Sequence, residues 1–271
     1  SGLVGSEMCI RDRHDALNKI SFSANWMSST KTADEKGDLV RGVQALTNMA
    51  DILKVSIPVG KDSLSMKVNW KNNEAEHTVT SPMTLNISSF SNVQDLHKSV
   101  TPELSNSDST LLHLWAHSDK YRLGGSALYQ SFKLYGGATP DIDDVNQFKV
   151  LFEATQELLD KDFIEALHDI SDGGLITSLI EMALCSNQGL DINLDYSDKE
   201  QLVPKLFSEE IGLVIEVKNE KLESVRNYLN EKELFFENIA KKNDNKKINI
   251  YCFKEKIFSE GLITLSVSYT H

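Results

Sequence analysis

Apolar and polar positions alternate over residues 18–24 (NKISFSA), the period of a half-buried strand, and then change to helical spacing in Leu39, Val43, Leu46, Met49, Ala50 and Leu53. A strand followed by a helix over 38–53 is expected. A short β-rich run follows at 55–59, residues 64–70 alternate, and 83–91 alternate again, with polar 71–77 expected as the hairpin loop between those two strands. Further along, 111–116 predicts a buried strand and 144–160 an amphipathic helix through Phe148, Leu151, Phe152, Ala154, Thr155, Leu158 and Leu159. A strand at 164–170 runs into a second helix carrying Leu175, Ile176, Leu179, Ile180, Met182 and Ala183. Strands at 190–194, 211–217, 234–239 and 248–253 and helices at 202–207 and 220–230 complete the pattern.

The aperiodic, Ser/Thr/Asn/Asp-rich stretch SVTPELSNSDST (99–110) separates two α+β units, expected at 14–103 and 104–265. The leading string SGLVGSEMCIRDR (1–13) resembles translated sequencing-adaptor sequence, and SVSYTH (266–271) is similar in kind. Both are set apart from the fold as expected non-native additions, and the natural protein is expected to extend beyond each. A net charge of −12 argues against binding nucleic acid or anionic lipid, which needs clustered Lys and Arg. Cys9, Cys185 and Cys252 lie far apart without a CxxC pair, so neither a disulfide framework nor a structural zinc is indicated, and a cytoplasmic location fits. No run approaches the ~18–20 apolar residues of a membrane helix.

The strongest local signal is His168-Asp169-Ile170-Ser171-Asp172-Gly173-Gly174, where a strand ends, glycines permit a tight turn and a helix begins. Free amides and the positive end of the helix dipole there suit a phosphate; Asp169 could hold Mg²⁺ and Ser171 could donate to the phosphate. The same residues also fit a plain helix start in which Ser171 or Asp172 caps the first amides. A second candidate, Pro58-Val59-Gly60-Lys61-Asp62-Ser63, is not a Walker A loop, because Val55 replaces its first glycine and Asp62 separates Lys61 from Ser63. Gly60 would allow close ligand approach and Lys61, Asp62 and Ser63 would supply polar groups; the alternative is a polar hairpin turn. Gly124-Gly125-Ser126 opens a helix and is either a further phosphate cradle or a plain helix entry. His113 and His117 share a strand face, with no carboxylate or cysteine evident to complete a metal site.

The strings SANWM, IPVGKDSLSM, TSPMTLNISSF, VTPEL, LGGSAL, HDISDGGLITSLIEMA and LFSEEIGLVIEV occur in this order. Together they resemble the second half of the large single-chain phosphoribosylformylglycinamidine synthases of purine biosynthesis, over about 15–265. The resemblance implies an ATP-dependent carbon–nitrogen ligase that converts formylglycinamide ribonucleotide and glutamine to the amidine by phosphorylating the amide oxygen. It implies an aminoimidazole-ribonucleotide-synthetase-like architecture, with a partial A-type domain at 14–103 and a B-type domain at 104–265. Lys61 and Ser63 are then expected catalytic contributors, with Gly60 on nucleotide. Asp169 is the expected Mg²⁺ ligand and Ser171, Gly173 and Gly174 the expected contacts of an auxiliary ATP or ADP. Ser208-Glu209-Glu210 stands where the family's first half carries a substrate-binding Glu-Ser-Gln, as fits a half without substrate binding.

The first synthetase half and the glutaminase domain, expected as partners in the same chain, lie outside these residues. The chain alone is therefore expected to be inactive, a structural nucleotide-binding module by content. Separation from a partner A-type domain is expected to uncover Ile20, Phe22, Met83, Leu85 and Ile87.

Overall fold

A computed structural model describes residues 17–72, 75–92, 95–116, 120–194 and 199–270. The segment 1–13 set apart above, with Cys9, lies outside them, as do His117 and His271. The chain divides into two compact units, 15–92 and 93 onward. Residues 95–103 therefore go with the second unit, where composition had put them with the first. The reason is local: Leu167 N donates to Thr101 O, Leu104 is buried in the second core, and Ser105 donates through N and Oγ to the carboxylate of buried Glu216.

In the first unit, β1 (Ser21–Met27), α1 (Ala33–Leu53) and β2 (Ser56–Ser63) form a crossover unit with β1 and β2 parallel. α1 starts earlier than its apolar spacing suggests because Thr32 and Glu35 make a reciprocal capping box. β3 (Lys67–Lys71) and β4 (Glu76–Thr80) form a separate two-stranded hairpin. β5 (Thr84–Phe90) pairs antiparallel with β1, giving the sheet order β2-β1-β5. Two expectations are corrected here. The stretch 71–77 is not one loop, because β4 begins within it, and 83–91 pairs with β1 rather than with the strand before that loop. Ile20 and Phe22 are not uncovered: both are buried, with Ala24, Leu53 and Val55, while Met83 is exposed and Leu85 and Ile87 are half-buried.

In the second unit, β6 (Ser109–Trp115), α2 (Ala127–Ser131), α3 (Val145–Asp160), β7 (Ala166–Asp169), α4 (Gly174–Ser186) and β8 (Gly189–Leu194) are followed by α5 (Leu202–Phe207), β9 (Gly212–Lys218), α6 (Leu222–Glu231) and β10 (Phe235–Asn243). β11 (Lys247–Cys252), β12 (Glu255–Gly261) and α7 (Leu262–Thr270) close the unit. The seven strands form one mixed sheet in the order β12-β11-β8-β10-β6-β9-β7. Leu175, Leu179, Met182 and Ala183 of α4 pack on Ala166, Leu190 and Val214 of the sheet, each large side chain contributing ~2 kcal/mol by leaving water. β12 was not apparent in the apolar pattern. α7 enters the stretch 266–271 that had been set apart, and Leu262 and Leu265 pack onto the core.

Candidate functional site

Two clusters carry the predicted residues, one in each unit. In the first, Gly60-Lys61-Asp62-Ser63 is neither a turn nor a loop: it is the last half of β2, in register with β1. Successive side chains of a strand point to opposite faces, and directly paired residues share one. Asn25 is opposite Lys61 and Asn86, and Met27 is opposite Ser63 and Thr84. Lys61 and Ser63 therefore share a sheet face with Asn25, Asn86 and Thr84. Gly60 and Asp62 fall on the other face with Ala24 and Trp26, and that face meets α1, since a Cβ at Gly42 would lie 3.2 Å from the Trp26 ring. The strand thus separates Gly60 from the two residues expected to act with it. Asn25 was not singled out from sequence. Its Oδ1 is buried without a hydrogen-bond partner among the described residues.

In the second unit, β7 ends at Asp169 and α4 begins after Gly173, so the predicted strand–turn–helix is formed. Gly174 N closes the turn on Ser171 O at 3.0 Å. Gly173 (φ +87°) and Gly174 (φ +74°) both adopt the left-handed region, which favours glycine. Neither Ser171 nor Asp172 caps α4 with its side chain, so the plain cap alternative does not hold. Asp169 is buried; its carbonyl accepts from Ser178 Oγ at 2.7 Å and its carboxylate lies 3.3 Å from His168 Nδ1. His168 Nε2 reaches Glu181 at 2.9 Å. Burial disfavours the imidazolium, but the Asp169 hydrogen bond and the charges of Asp169 and Glu181 outweigh it and raise the His168 pKa. Among the described residues no group of three or more His, Cys, Asp or Glu could hold a metal by itself. Asp169 suits Mg²⁺ only as one carboxylate beside phosphate oxygens.

The amides that sequence offered to phosphate are already engaged. Glu209 Oε1 accepts from Gly173 N at 2.9 Å and from Ala127 N, at the start of α2, at 2.8 Å. Ser126 caps α2 through Tyr129 N, as a plain helix entry would. The neighbouring Glu210 is buried and holds Arg122. The Ser208-Glu209-Glu210 loop is therefore a polar hub, signalled in sequence only by two consecutive carboxylates before a strand. His113, for which no carboxylate had been found, bonds Glu237 across the β6–β10 pair at 3.1 Å, and fully buried Lys205 bonds the same carboxylate at 2.5 Å. No helix among the described residues is long and apolar enough to cross a membrane.

These features define a class: a two-unit α+β protein in which a small crossover unit precedes a seven-stranded mixed sheet with a glycine turn opening a central helix. The chain belongs to the family described as AIR synthase related protein, C-terminal domain, matched over residues 114–253. Residues 8–92 match the FGAR-AT PurM_N-like domain, a span that takes in part of the leading segment set apart above. Among solved structures, the chain is similar to Thermotoga maritima PurL complexed with ATP, at 14% identity and a TM-score of 0.63, covering 93% of this chain and 38% of that one. The same PurL complexed with FGAR gives 16% identity and a TM-score of 0.66, covering 96% and 40%. The E. coli hydrogenase maturation protein HypE gives 16% identity and a TM-score of 0.59, covering 87% and 72%. The chain thus spans about two-fifths of the PurL chains.

Proposed function

We propose that this chain is part of a phosphoribosylformylglycinamidine synthase, forming amidine from formylglycinamide ribonucleotide, ATP and glutamine together with a first synthetase half and a glutaminase domain. The single observation that carries the reading is the order of the two family matches, an FGAR-AT PurM_N-like domain followed by the AIR-synthase-type C-terminal domain. Solved PurL complexes with ATP, ADP and FGAR support a nucleotide and a ribonucleotide as the ligands.

In this reading Lys61 and Ser63 project from β2 toward the reacting phosphate. An ammonium there stabilises charge that develops during transfer, and a hydroxyl orients an oxygen. Asp169 would hold Mg²⁺ and Ser171 would donate to an auxiliary ATP or ADP. Mg²⁺ there would supply charge neutralisation to the phosphates. The 271-residue chain by itself is a nucleotide-binding module without turnover.

The test is ATP- and glutamine-dependent amidine formation by the chain expressed with the rest of its reading frame. Amidine production in the longer protein and none by the chain alone is expected. No amidine from the longer protein overturns the reading.

A further inference from the structure

Two glycine-flanked helix starts, Gly124-Gly125-Ser126 and Ser171-Asp172-Gly173-Gly174, resemble anion cradles in sequence, and in the fold they converge on one atom. Glu209 Oε1 takes Ala127 N at 2.8 Å and Gly173 N at 2.9 Å. A second observation explains why it is held there. A Cβ at Gly174 would lie 2.7 Å from Phe207 C and from Ser208 O, and 2.8 Å from Leu206 O. The backbone leading to Glu209 is thus pressed directly onto the turn. The next residue is fixed as well: Glu210 receives Arg122 Nε at 2.5 Å and Nη2 at 2.8 Å, and Ser208 Oγ donates to Arg122 O at 3.1 Å. The loop cannot retreat from the turn without breaking these bonds.

We propose that Glu209 is the resident anion of this unit, a specificity-determining residue that occupies the Gly173 and Ala127 amides and excludes phosphate from them. The consequence deepens the nucleotide reading above, on which it rests for the ligand's identity. A nucleotide on this turn would meet the Ser171 hydroxyl and a cation held by the Asp169 carboxylate, and not the Gly173 amide expected from sequence. An oxyanion reaches that amide only by displacing Glu209, and doing so releases the start of α2 from the start of α4.

The probe is inorganic phosphate, titrated against chloride at equal ionic strength, with ¹⁵N amide shifts and thermal melting read on the full chain. In the parent chain the Ala127 and Gly173 amides are expected to stay still through the millimolar range. Glu209→Ala is expected to bind phosphate at least about tenfold more tightly than the parent, with both amides shifting. Glu209→Gln keeps a neutral acceptor on the amides and is expected to remain insensitive to phosphate. Phosphate-driven shifts of both amides in the parent, or no gain in a folded Glu209→Ala, would overturn the proposal. Should Glu209→Ala not fold, the parent titration decides alone. Mg·ADP binding, measured on the same samples, separates the two readings: its absence sinks the nucleotide assignment and leaves the phosphate result standing.

Discussion

Arg122 and Glu210 meet fork to fork: Nε lies 2.5 Å from Oε1 and Nη2 lies 2.8 Å from Oε2, with the Arg122 backbone amide on the same carboxylate at 3.2 Å. Glu210 is 3% exposed at its side chain and Arg122 14%, so this is a desolvated pair that fixes 120–126 against the loop after α5. Removing one partner of such a pair strands the other. Glu210→Ala is expected to cost about 2–4 kcal/mol, somewhat under the usual penalty because Asp143 and the Asp141 carbonyl still serve the guanidinium. Urea unfolding would measure it, with exposed Lys120→Ala as the control below ~1 kcal/mol. Equal midpoints for Glu210→Ala and the parent would show that the pair is only decorative.

Lys61→Ala and Ser63→Ala, made in the longer enzyme, are expected to lower synthetase turnover at least about tenfold while glutamine hydrolysis is spared, because both side chains lie on the same face of β2. Steady-state kinetics with the two half-reactions assayed separately decides the matter. Turnover within about twofold of the parent, as exposed positions on a strand normally give, would remove both residues from the site.

Asp169→Asn retains the volume and the backbone acceptor used by Ser178 but loses the charge that faces His168 and that a divalent cation needs. Under the proposed function, the expected outcome in the longer protein is loss of Mg·ADP retention with its amidine-forming turnover intact. Nucleotide content measured after purification provides the check, and an unchanged content returns Asp169 to a purely structural role.

A pH effect follows from the His113–Glu237–Lys205 cluster. Burial, aided by the Lys205 charge, lowers the His113 pKa below 6.5 despite the Glu237 hydrogen bond. Above pH 6.5 the imidazole is neutral in both folded and unfolded chains, so nothing is lost. As pH falls from 6.5 toward the depressed folded value, the unfolded chain takes up a proton that the folded chain refuses, and stability declines. His113→Gln is therefore expected to flatten the stability profile in that window. Chemical denaturation at a series of pH values would reveal it; parallel profiles for variant and parent would refute the assignment.

How much of this was legible in the sequence depended on whether the determining force was local. Helices α3 and α4 announce themselves by apolar stripes, and the Asp169-to-Gly174 turn by the glycines that its positive φ values require. The early start of α1 was also written there, in the Thr32-to-Glu35 spacing, but apolar periodicity alone passed over it. β4 and β12 were missed because EHTVT and EKIFSEG are short and charged, and their strand character comes from the neighbour each pairs with. Pairing of β5 with β1, and the reach of Glu209 to Gly173 and Ala127, are tertiary facts with no signature in the residues that take part.

The alternation of β2 sets a rule for how this segment can vary through evolution. Substitutions at Lys61 or Ser63 change the chemistry of one surface and leave the other alone. An insertion or deletion of one residue between Ser56 and Gly60 would instead rotate everything after it by half a turn, carrying Lys61 and Ser63 toward α1 and Gly60 and Asp62 to the open side. Proteins that share this strand are therefore expected to tolerate changes of letter here far better than changes of length, whatever they have made of the site.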